Sequence, residues 1–199
     1  MSCFFIPAAL QLFAPRLYQL YDFLSTSIRT QHPDIRHNFP NNVFASITIN
    51  LGPQTVTRKH LDNLNIPFGW CVVTALGNYD HTRGGHIILW DLRMIVEFPP
   101  GSTIFLPSAC ISHSNTAVGD GEQRYSITQY TSGGIMRWVA CGFRSHTALR
   151  AAGDKLIGDA KDLWRNGVQL LSTWGELKDR KSTRLNSSHS GESRMPSSA

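Results

Sequence analysis

Residues 84–109 read GGHIILWDLRMIVEFPPGSTIFLPSA, and this stretch decides the predicted fold. It contains three short apolar runs rich in branched and aromatic residues, which favour strands, at 86–90, 93–98 and 103–106. The Gly84-Gly85 pair and the Pro-Pro-Gly sequence at 99–101 separate these runs and permit tight turns. Short strands with turns at regular spacing are typical of a β-sandwich or barrel and not of a parallel α/β sheet.

The same pattern continues on both sides of this stretch. Four more strands are predicted, at 44–51, 70–76, 109–113 and 124–131. Before them, Pro15 to Arg29 has the three-and-four apolar spacing of a helix, with proline where a helix start tolerates it. After them, Ala148 to Leu177 has helical spacing interrupted by glycines, which predicts either two short helices that cover the sheet or a partly ordered extension.

The chain of 199 residues, 41% of them hydrophobic, is long enough to bury one sizeable core. The predicted organisation is mainly β (α+β), with a β-sandwich or barrel as the core at 44–145. A helical and loop support at 1–43 precedes the core, and a helical extension at 146–178 follows it.

The last segment, 179–199, reads DRKSTRLNSSHSGESRMPSSA. It resembles the conceptual translation of a widely used sequencing-library adapter in one frame, with a short index at 190–192. We therefore expect a disordered processing artefact here. The alternative is a natural disordered tail rich in serine and arginine.

Charge and cysteine usage set broad limits on the function. The formal charge of +5 and pI near 9.2 invite a nucleic-acid partner. Segment 179–199 holds four of the Lys/Arg residues and two of the Asp/Glu residues, so without it the charge is +3, too small to establish DNA binding. The four cysteines are far apart with no CxxC pair, which favours an intracellular compartment. No apolar run reaches the roughly 20 residues that span a bilayer, so no membrane partner is expected.

His60 and Asp62 are two residues apart, so in an extended segment their side chains project from the same side. A second histidine from a distant strand would complete a facial triad of two histidines and one carboxylate. That is the ligand set of non-haem Fe(II) oxygenases, and it leaves three coordination positions open. His113 is the candidate for the second histidine, and His86, which opens a predicted strand, is its rival.

Arg124, Ser126 and Thr128 share one face of their predicted strand. A guanidinium inside a barrel is costly unless it meets an anion. A dicarboxylate cosubstrate would supply that anion, since arginine can grip a carboxylate through two parallel hydrogen bonds and a serine hydroxyl can add a third. The alternative is that Arg124 pairs with Glu122 or Asp120 at a strand edge.

Taken together, His60-x-Asp62, His113 and Arg124-x-Ser126 resemble the signature of the Fe(II)- and 2-oxoglutarate-dependent dioxygenases. The wider text at 60–71, 84–109, 113–116 and 124–138 further resembles oxygenase-like domains of basidiomycete fungi. Those domains often accompany mobile elements and are grouped with the TET and JBP hydroxylases of modified thymine and cytosine.

The resemblance implies a double-stranded β-helix, also called a jelly roll, in which His60, Asp62 and His113 hold Fe(II). It implies that 2-oxoglutarate and O2 are cosubstrates and that Arg124 and Ser126 bind the distal carboxylate of 2-oxoglutarate. The implied reaction oxidises a C–H bond of a nucleobase, 5-methylcytosine or thymine in DNA. A duplex base would be flipped into the pocket.

Aromatic residues near the predicted site are candidates for walls that hold such a base. Phe68, Trp70 and Tyr79 have this role in one interpretation and belong to the core in the other. Two other functions stay open: the same chemistry on a protein side chain or small molecule, and a non-catalytic jelly-roll module or mobile-element fragment. A DNA substrate would place the protein in the nucleus.

Overall fold

The structure, a computed structural model, describes residues 5–36, 39, 42–154 and 160–180. Two helices come first, α1 at Phe5–Phe13 and α2 at Pro15–Gln31. Helix α2 confirms the predicted helix, with Pro15 in its first turn. Helix α1 was not predicted because Pro7 reads as a break. Pro7 lies in the first turn, where the missing N–H has no intrahelical partner to lose.

Seven strands follow, and every pairing between them is antiparallel. Their bounds are β1 Ser46–Asn50, β2 Cys71–Asn78, β3 Ile87–Leu89, β4 Met94–Val96, β5 Thr103–Leu106, β6 His113–Asn115 and β7 Gln123–Tyr130. They form a four-stranded sheet in the order β1-β7-β2-β5 and a three-stranded sheet in the order β4-β3-β6.

The chain passes back and forth between the two sheets. After β1 it crosses to the second sheet, where His60 forms an isolated antiparallel bridge with His113 on β6. It returns for β2, crosses for β3 and β4, returns for β5, crosses for β6 and returns for β7. This alternation between two antiparallel sheets is a double-stranded β-helix, and with its flanking helices it is the mainly β (α+β) fold that the sequence predicts.

Strand β2 is buried on both faces, as its run of branched and apolar residues predicts. Val72 faces the helices, where it packs in a cluster with Leu10, Leu17 and Tyr21. Its neighbour Cys71 points to the opposite face and packs in a second cluster. The helices therefore cover the outer face of the four-stranded sheet, and the other face turns inward toward the second sheet.

Three more helices follow the strands: α3 at Gly133–Ala140, α4 at His146–Ala151 and α5 at Ala160–Val168. Residues 174–180 are also helical. Leu170 and Leu171 pack against the helical cluster, as an extension that covers the sheet would. None of the helices within the described ranges is long and apolar enough to cross a membrane.

One local prediction is wrong, and one helix was missed. The predicted strand 109–113 is a turn, and strand β6 begins at His113 instead of ending there. The Pro107 carbonyl accepts from the N–H groups of Cys110 at 2.9 Å and Ile111 at 3.0 Å, and the Asp91 carboxylate accepts from the backbone of Ser112 at 2.6 Å. Helix α3 was not predicted because it opens with Gly133-Gly134; the Ser132 side chain caps it by accepting from the backbone of Ile135.

Residues 181–199, nearly all of the predicted artefact segment, lie outside the described residues. The side chain of Arg180, the second residue of that segment, donates to the Leu12 carbonyl at 3.2 Å and the Ser172 hydroxyl at 3.1 Å.

Tyr21 is the polar joint between the helices and the sheet. Its buried hydroxyl donates to the Trp70 carbonyl at 3.0 Å and accepts from the Trp70 N–H at 2.9 Å. Tyr21→Phe keeps the ring but leaves two backbone groups unpaired, so we expect the free energy of unfolding in urea to fall by about 1–3 kcal/mol. Tyr18→Phe, on the same helix, is the control and should change it by less than about 0.5 kcal/mol. Equal effects would contradict this role.

Candidate metal centre

A cavity of about 720 Å³, which we call the central cavity, opens between the two sheets. Residues of β1, β2, β5 and β7 line one side, and residues of β3, β6 and the segment around His60 line the other. All five residues predicted to form a site lie on its walls: His60, Asp62, His113, Arg124 and Ser126.

The two histidines are held together by their own backbones. The N–H of each donates to the carbonyl oxygen of the other at 3.0 Å. In such a hydrogen-bonded antiparallel pair, directly opposite side chains project from the same face. The two imidazole rings consequently lie 4.3 Å apart between centroids.

Asp62 joins them from the chain just beyond the bridge. Its N–H donates to the Ser108 carbonyl at 2.9 Å, and its Oδ1 lies 3.6 Å from Nε2 of His60. One potential ligand atom from each of His60, Asp62 and His113 lies within 4.8 Å of the other two. The structure thus brings the two predicted histidines and the predicted carboxylate to one point.

Backbone carbonyls fix the tautomers of both rings. Nδ1 of His60 lies 2.7 Å from the Arg58 carbonyl oxygen, and Nδ1 of His113 lies 2.9 Å from that of Ile111. A carbonyl only accepts, so in the neutral form of each ring Nδ1 carries the proton and Nε2 keeps its lone pair. Burial lowers the pKa of His113, with the nearby His60 adding to the effect, so the neutral form of the His113 ring is favoured.

These donors fit a divalent transition metal. Two Nε2 lone pairs and one carboxylate are the nitrogen and oxygen ligands that iron takes in facial triads, and second hydrogen bonds already orient both rings. Across the described ranges, no other three His, Cys, Asp or Glu side chains bring their ligand atoms within 4.8 Å of one another. His86, the rival, instead places Nε2 2.8 Å from the His81 carbonyl oxygen, so that nitrogen faces a backbone acceptor.

Arg124 lies in the same cavity and is 2% exposed. One Nη donates to the Thr55 carbonyl at 3.1 Å, and Nε has no partner. Burial lowers the pKa of Arg124, but a guanidinium remains charged at neutral pH. The wall of the cavity therefore carries a buried cation with unused hydrogen-bonding capacity.

The predicted alternative for Arg124, an ion pair at a strand edge, is not found. No acidic residue in the described ranges forms an ion pair with this guanidinium. The Glu122 carboxylate accepts instead from the backbone N–H groups of Asp80 at 2.7 Å and Gly119 at 2.6 Å. An anion for Arg124 would have to come from a ligand.

The wall beside Arg124 is a ladder of polar residues from two paired strands. Sequence reasoning found Ser126 and Thr128 but missed Tyr130 and the whole β1 side. Ser46, Thr48 and Asn50 of β1 stand directly opposite Tyr130, Thr128 and Ser126 of β7, and all six line the central cavity. Asn50 Nδ2 donates to the Ser126 hydroxyl at 2.9 Å. The signal was the alternating polar residues of β1, which in a sequence are the pattern of a solvent-facing side.

Asn65 was also missed. Its Nδ2 donates to Asp62 Oδ2 at 3.3 Å and to the hydroxyl of buried Ser108 at 3.0 Å. Asn65 therefore holds the Asp62 carboxylate from the side away from the histidines. An amide three residues after a candidate ligand is the available sequence signal.

The three aromatic residues proposed as substrate walls belong to the core. Phe68 and Trp70 pack in the helical cluster, and Tyr79 packs in the cluster between the sheets. None of the three lines the central cavity. The core interpretation of these residues is therefore the correct one.

No protein-family model and no curated protein matches the chain. Among solved structures it is similar to NgTET1 in complex with 5mC DNA (18% identity, 58% of this chain and 48% of that chain, TM-score 0.42). It is also similar to the viral collagen prolyl hydroxylase of Paramecium bursaria Chlorella virus-1 in complex with 2OG (14%, 56% and 72%, TM-score 0.31). A third is an RmlC-like cupin protein from Desulfovibrio desulfuricans (12%, 48% and 95%, TM-score 0.28).

The matched part of the chain therefore spans about half the length of the NgTET1 chain. The fungal and mobile-element part of the resemblance stays a prediction.

The two candidate second histidines can be told apart by metal binding. Mn(II) is a redox-stable ion that accepts the same donor types as Fe(II). We expect His113→Ala to remove measurable Mn(II) binding in isothermal titration, because one of three ligands is lost. His86→Ala is the matched control and should bind like the parent protein. Equal losses in the two variants would contradict the ligand assignment.

Asn65 should matter through the orientation of Asp62. Loss of a hydrogen bond to a metal-ligating side chain typically costs 10–100-fold in affinity, so we expect Asn65→Ala to weaken Mn(II) binding by about that factor. Asn63→Ala removes an exposed amide of the cavity wall that forms no hydrogen bond with the triad, and it should have little effect. Unchanged affinity in Asn65→Ala would show that Asp62 needs no such support.

Proposed function

We propose that the protein is an Fe(II)- and 2-oxoglutarate-dependent oxygenase. His60, Asp62 and His113 would hold the iron, and Arg124 with Ser126 would bind the distal carboxylate of 2-oxoglutarate. The observation that carries the proposal is the pairing of two features in one cavity: a triad of metal donors and a buried guanidinium without an acidic partner.

The Arg124 guanidinium is the feature that favours a 2-oxoglutarate-binding enzyme over a barrel that only binds a metal. A buried charge is stable only with a counter-charge or full hydrogen bonding, and Nε of Arg124 has neither. A carboxylate at this point would accept charge-assisted bonds from the planar fork. The Ser126 hydroxyl, oriented by Asn50, would donate another.

Iron with 2-oxoglutarate and O2 supplies a balanced oxidation: the keto acid and a substrate C–H bond each give two electrons, producing succinate, CO2 and a hydroxylated carbon. The protein's part is positioning. The backbone bridge and the two Nδ1 hydrogen bonds hold the imidazoles, Asn65 holds the carboxylate, and Arg124 sets the far end of the cosubstrate.

For the substrate we propose a nucleobase, 5-methylcytosine or thymine in DNA, with O2 as the oxidant. A cavity of about 720 Å³ is within the range of small-molecule sites. Asp62, a member of the triad, is the one acidic residue among the described residues that line it, so no acidic rim opposes a nucleic acid. The polar ladder offers hydroxyls and an amide that can pair with the edge of a flipped base. This substrate also carries the proposed nuclear location.

Turnover tests the proposal. We expect succinate release that requires Fe(II), 2-oxoglutarate and O2 and rises with DNA containing 5-methylcytosine or thymine. Unmodified DNA lacking both bases, and reactions without DNA, are the controls. Turnover indifferent to the DNA would contradict the nucleobase substrate and favour a protein side chain or small molecule. No turnover in folded, metal-loaded protein would favour a non-catalytic jelly-roll module.

Arg124 should act on the cosubstrate alone. Each hydrogen bond to a charged group contributes about 1.5–3 kcal/mol, so we expect Arg124→Ala to raise the 2-oxoglutarate concentration for half-maximal turnover at least about tenfold. Mn(II) affinity should be retained. Arg165→Ala, an exposed arginine that does not line the cavity, is the control. An unchanged 2-oxoglutarate requirement in Arg124→Ala would contradict the assigned role.

A further inference from the structure

A second concavity of about 370 Å³ lies on α3 and the turn into α4. We call it the basic groove, because its lining includes Arg137, Arg144 and His146 and, among the described residues, no acidic side chain. Trp138 and Ser145 also contribute to its walls. Nothing in the proposed iron site uses these residues.

The charges of the groove are only partly neutralised. Arg144 forms one ion pair from the rim, with Asp154 at 2.8 Å, and also donates to the Cys141 carbonyl at 3.3 Å. The exposed Arg137 forms no ion pair with an acidic residue of the described ranges. Among the residues that the structure describes, Arg137 is therefore the arginine of the groove without an acidic partner.

The groove begins where the central cavity ends. Ser132, the cap of α3, lines the central cavity, and the next residue, Gly133, donates its N–H to the Leu64 carbonyl at 2.8 Å. A Cβ placed on Gly133 would lie 3.4 Å from Nη1 of Arg137 and 3.6 Å from the Asn65 carbonyl oxygen. Since Leu64 and Asn65 also line the central cavity, the Arg137 guanidinium stands at the boundary between the two concavities.

We propose that the basic groove binds phosphates of a DNA strand whose target base enters the central cavity, an inference that rests on the proposed function. A nucleotide joins an anionic backbone to a neutral heterocycle. The two adjoining concavities have the matching polarity: basic outside and, beyond the triad and Arg124, lined by uncharged residues inside. The fork of Arg137 suits a phosphate's paired oxygens.

Arg137 and Arg144 are separated along α3. Nε of Arg144 donates to the carbonyl of Cys141, which follows Arg137 by four residues, or about 6 Å along the helix axis. Phosphates along one strand of a duplex advance about 3.4 Å per nucleotide. Arg137 at the cavity boundary and Arg144 beyond the end of α3 would therefore contact different phosphates of the same strand.

Salt dependence of DNA binding tests this assignment. In anaerobic protein without added metal, the slope of log K against log salt should fall in magnitude by about 0.7–0.9 for Arg137→Gln, because one phosphate contact is lost. In the double variant Arg137→Gln/Arg144→Gln, the magnitude of the slope should fall by about twice as much. Arg137→Lys keeps the charge and should keep the parent slope. Arg165→Gln changes the net charge equally from a site lining neither concavity and is the control.

Thermal unfolding of each variant reports whether it folds, and because Arg137 is exposed we expect Arg137→Gln to melt like the parent. The proposed phosphate-binding role of the groove would be wrong if folded Arg137→Gln kept the salt slope and DNA affinity of the parent protein. It would also be wrong if Arg165→Gln reduced the slope as much as Arg137→Gln. Equal or tighter binding of RNA of the same sequence would overturn its assignment to DNA.

The two proposals fail separately. Metal-dependent 2-oxoglutarate binding by a protein with no affinity for DNA would overturn the groove and leave the oxygenase. DNA binding with the predicted slopes, in a protein that does not bind 2-oxoglutarate, would support the groove and contradict the oxygenase.

Discussion

The reciprocal pair of backbone hydrogen bonds between His60 and His113 is the contact on which the whole site depends. It joins residues more than fifty positions apart and places both rings on one face of the pair. It also attaches the crossing segment after β1 to the edge of the second sheet, which completes the double-stranded β-helix. The fold and the site therefore depend on the same backbone hydrogen bonds, because the strand pairing that closes the jelly roll also places the two imidazoles beside Asp62.

The second constraint is the buried charge of Arg124. Folding places this guanidinium in the interior with one backbone acceptor and an unpaired Nε, although a nearby strand edge offers acidic residues. The residues of β1 and of the rest of β7 that line the same cavity carry hydroxyls and an amide. Burying such polar groups costs free energy unless they are hydrogen-bonded, whereas a cavity wall made of them can hold a charged, hydrogen-bonding ligand. Arg124 and the triad line the same cavity, and we propose that they bind the two ends of one cosubstrate.

Much of this was predictable from the sequence. Alternation in strands places His60 and Asp62 on one face of their segment and Arg124 and Ser126 on one face of theirs, and short apolar runs between turns favour a β-sandwich or barrel. The resemblance narrowed that prediction to a jelly roll. The features that the sequence did not predict depend on single side chains that contact a distant part of the chain. The turn before His113 is held by Asp91, and Asn65 reaches Asp62 only after the chain folds back onto Ser108.

The polar faces of β1 and β7 show a different limit. A polar face of a strand is the same pattern whether it meets solvent or a cavity, so only the packing of the second sheet distinguishes the two. Charge shows the same limit. The net charge of the chain does not indicate where a ligand binds, whereas the structure places Arg137 beside the central cavity. The sequence thus indicated which side chains could bind a metal or a carboxylate, and only the tertiary structure showed which residues surround them.

The most direct test of the central claim is equilibrium binding of 2-oxoglutarate in the absence of O2, measured by titration with and without Fe(II). Under the proposed function the triad holds the metal and Arg124 the distal carboxylate of one cosubstrate, so the parent protein should bind one 2-oxoglutarate per chain with an affinity that depends on the metal. His113→Ala should lose the metal-dependent part. Binding that is equally tight without metal, or no binding by folded, iron-loaded protein, would contradict the account.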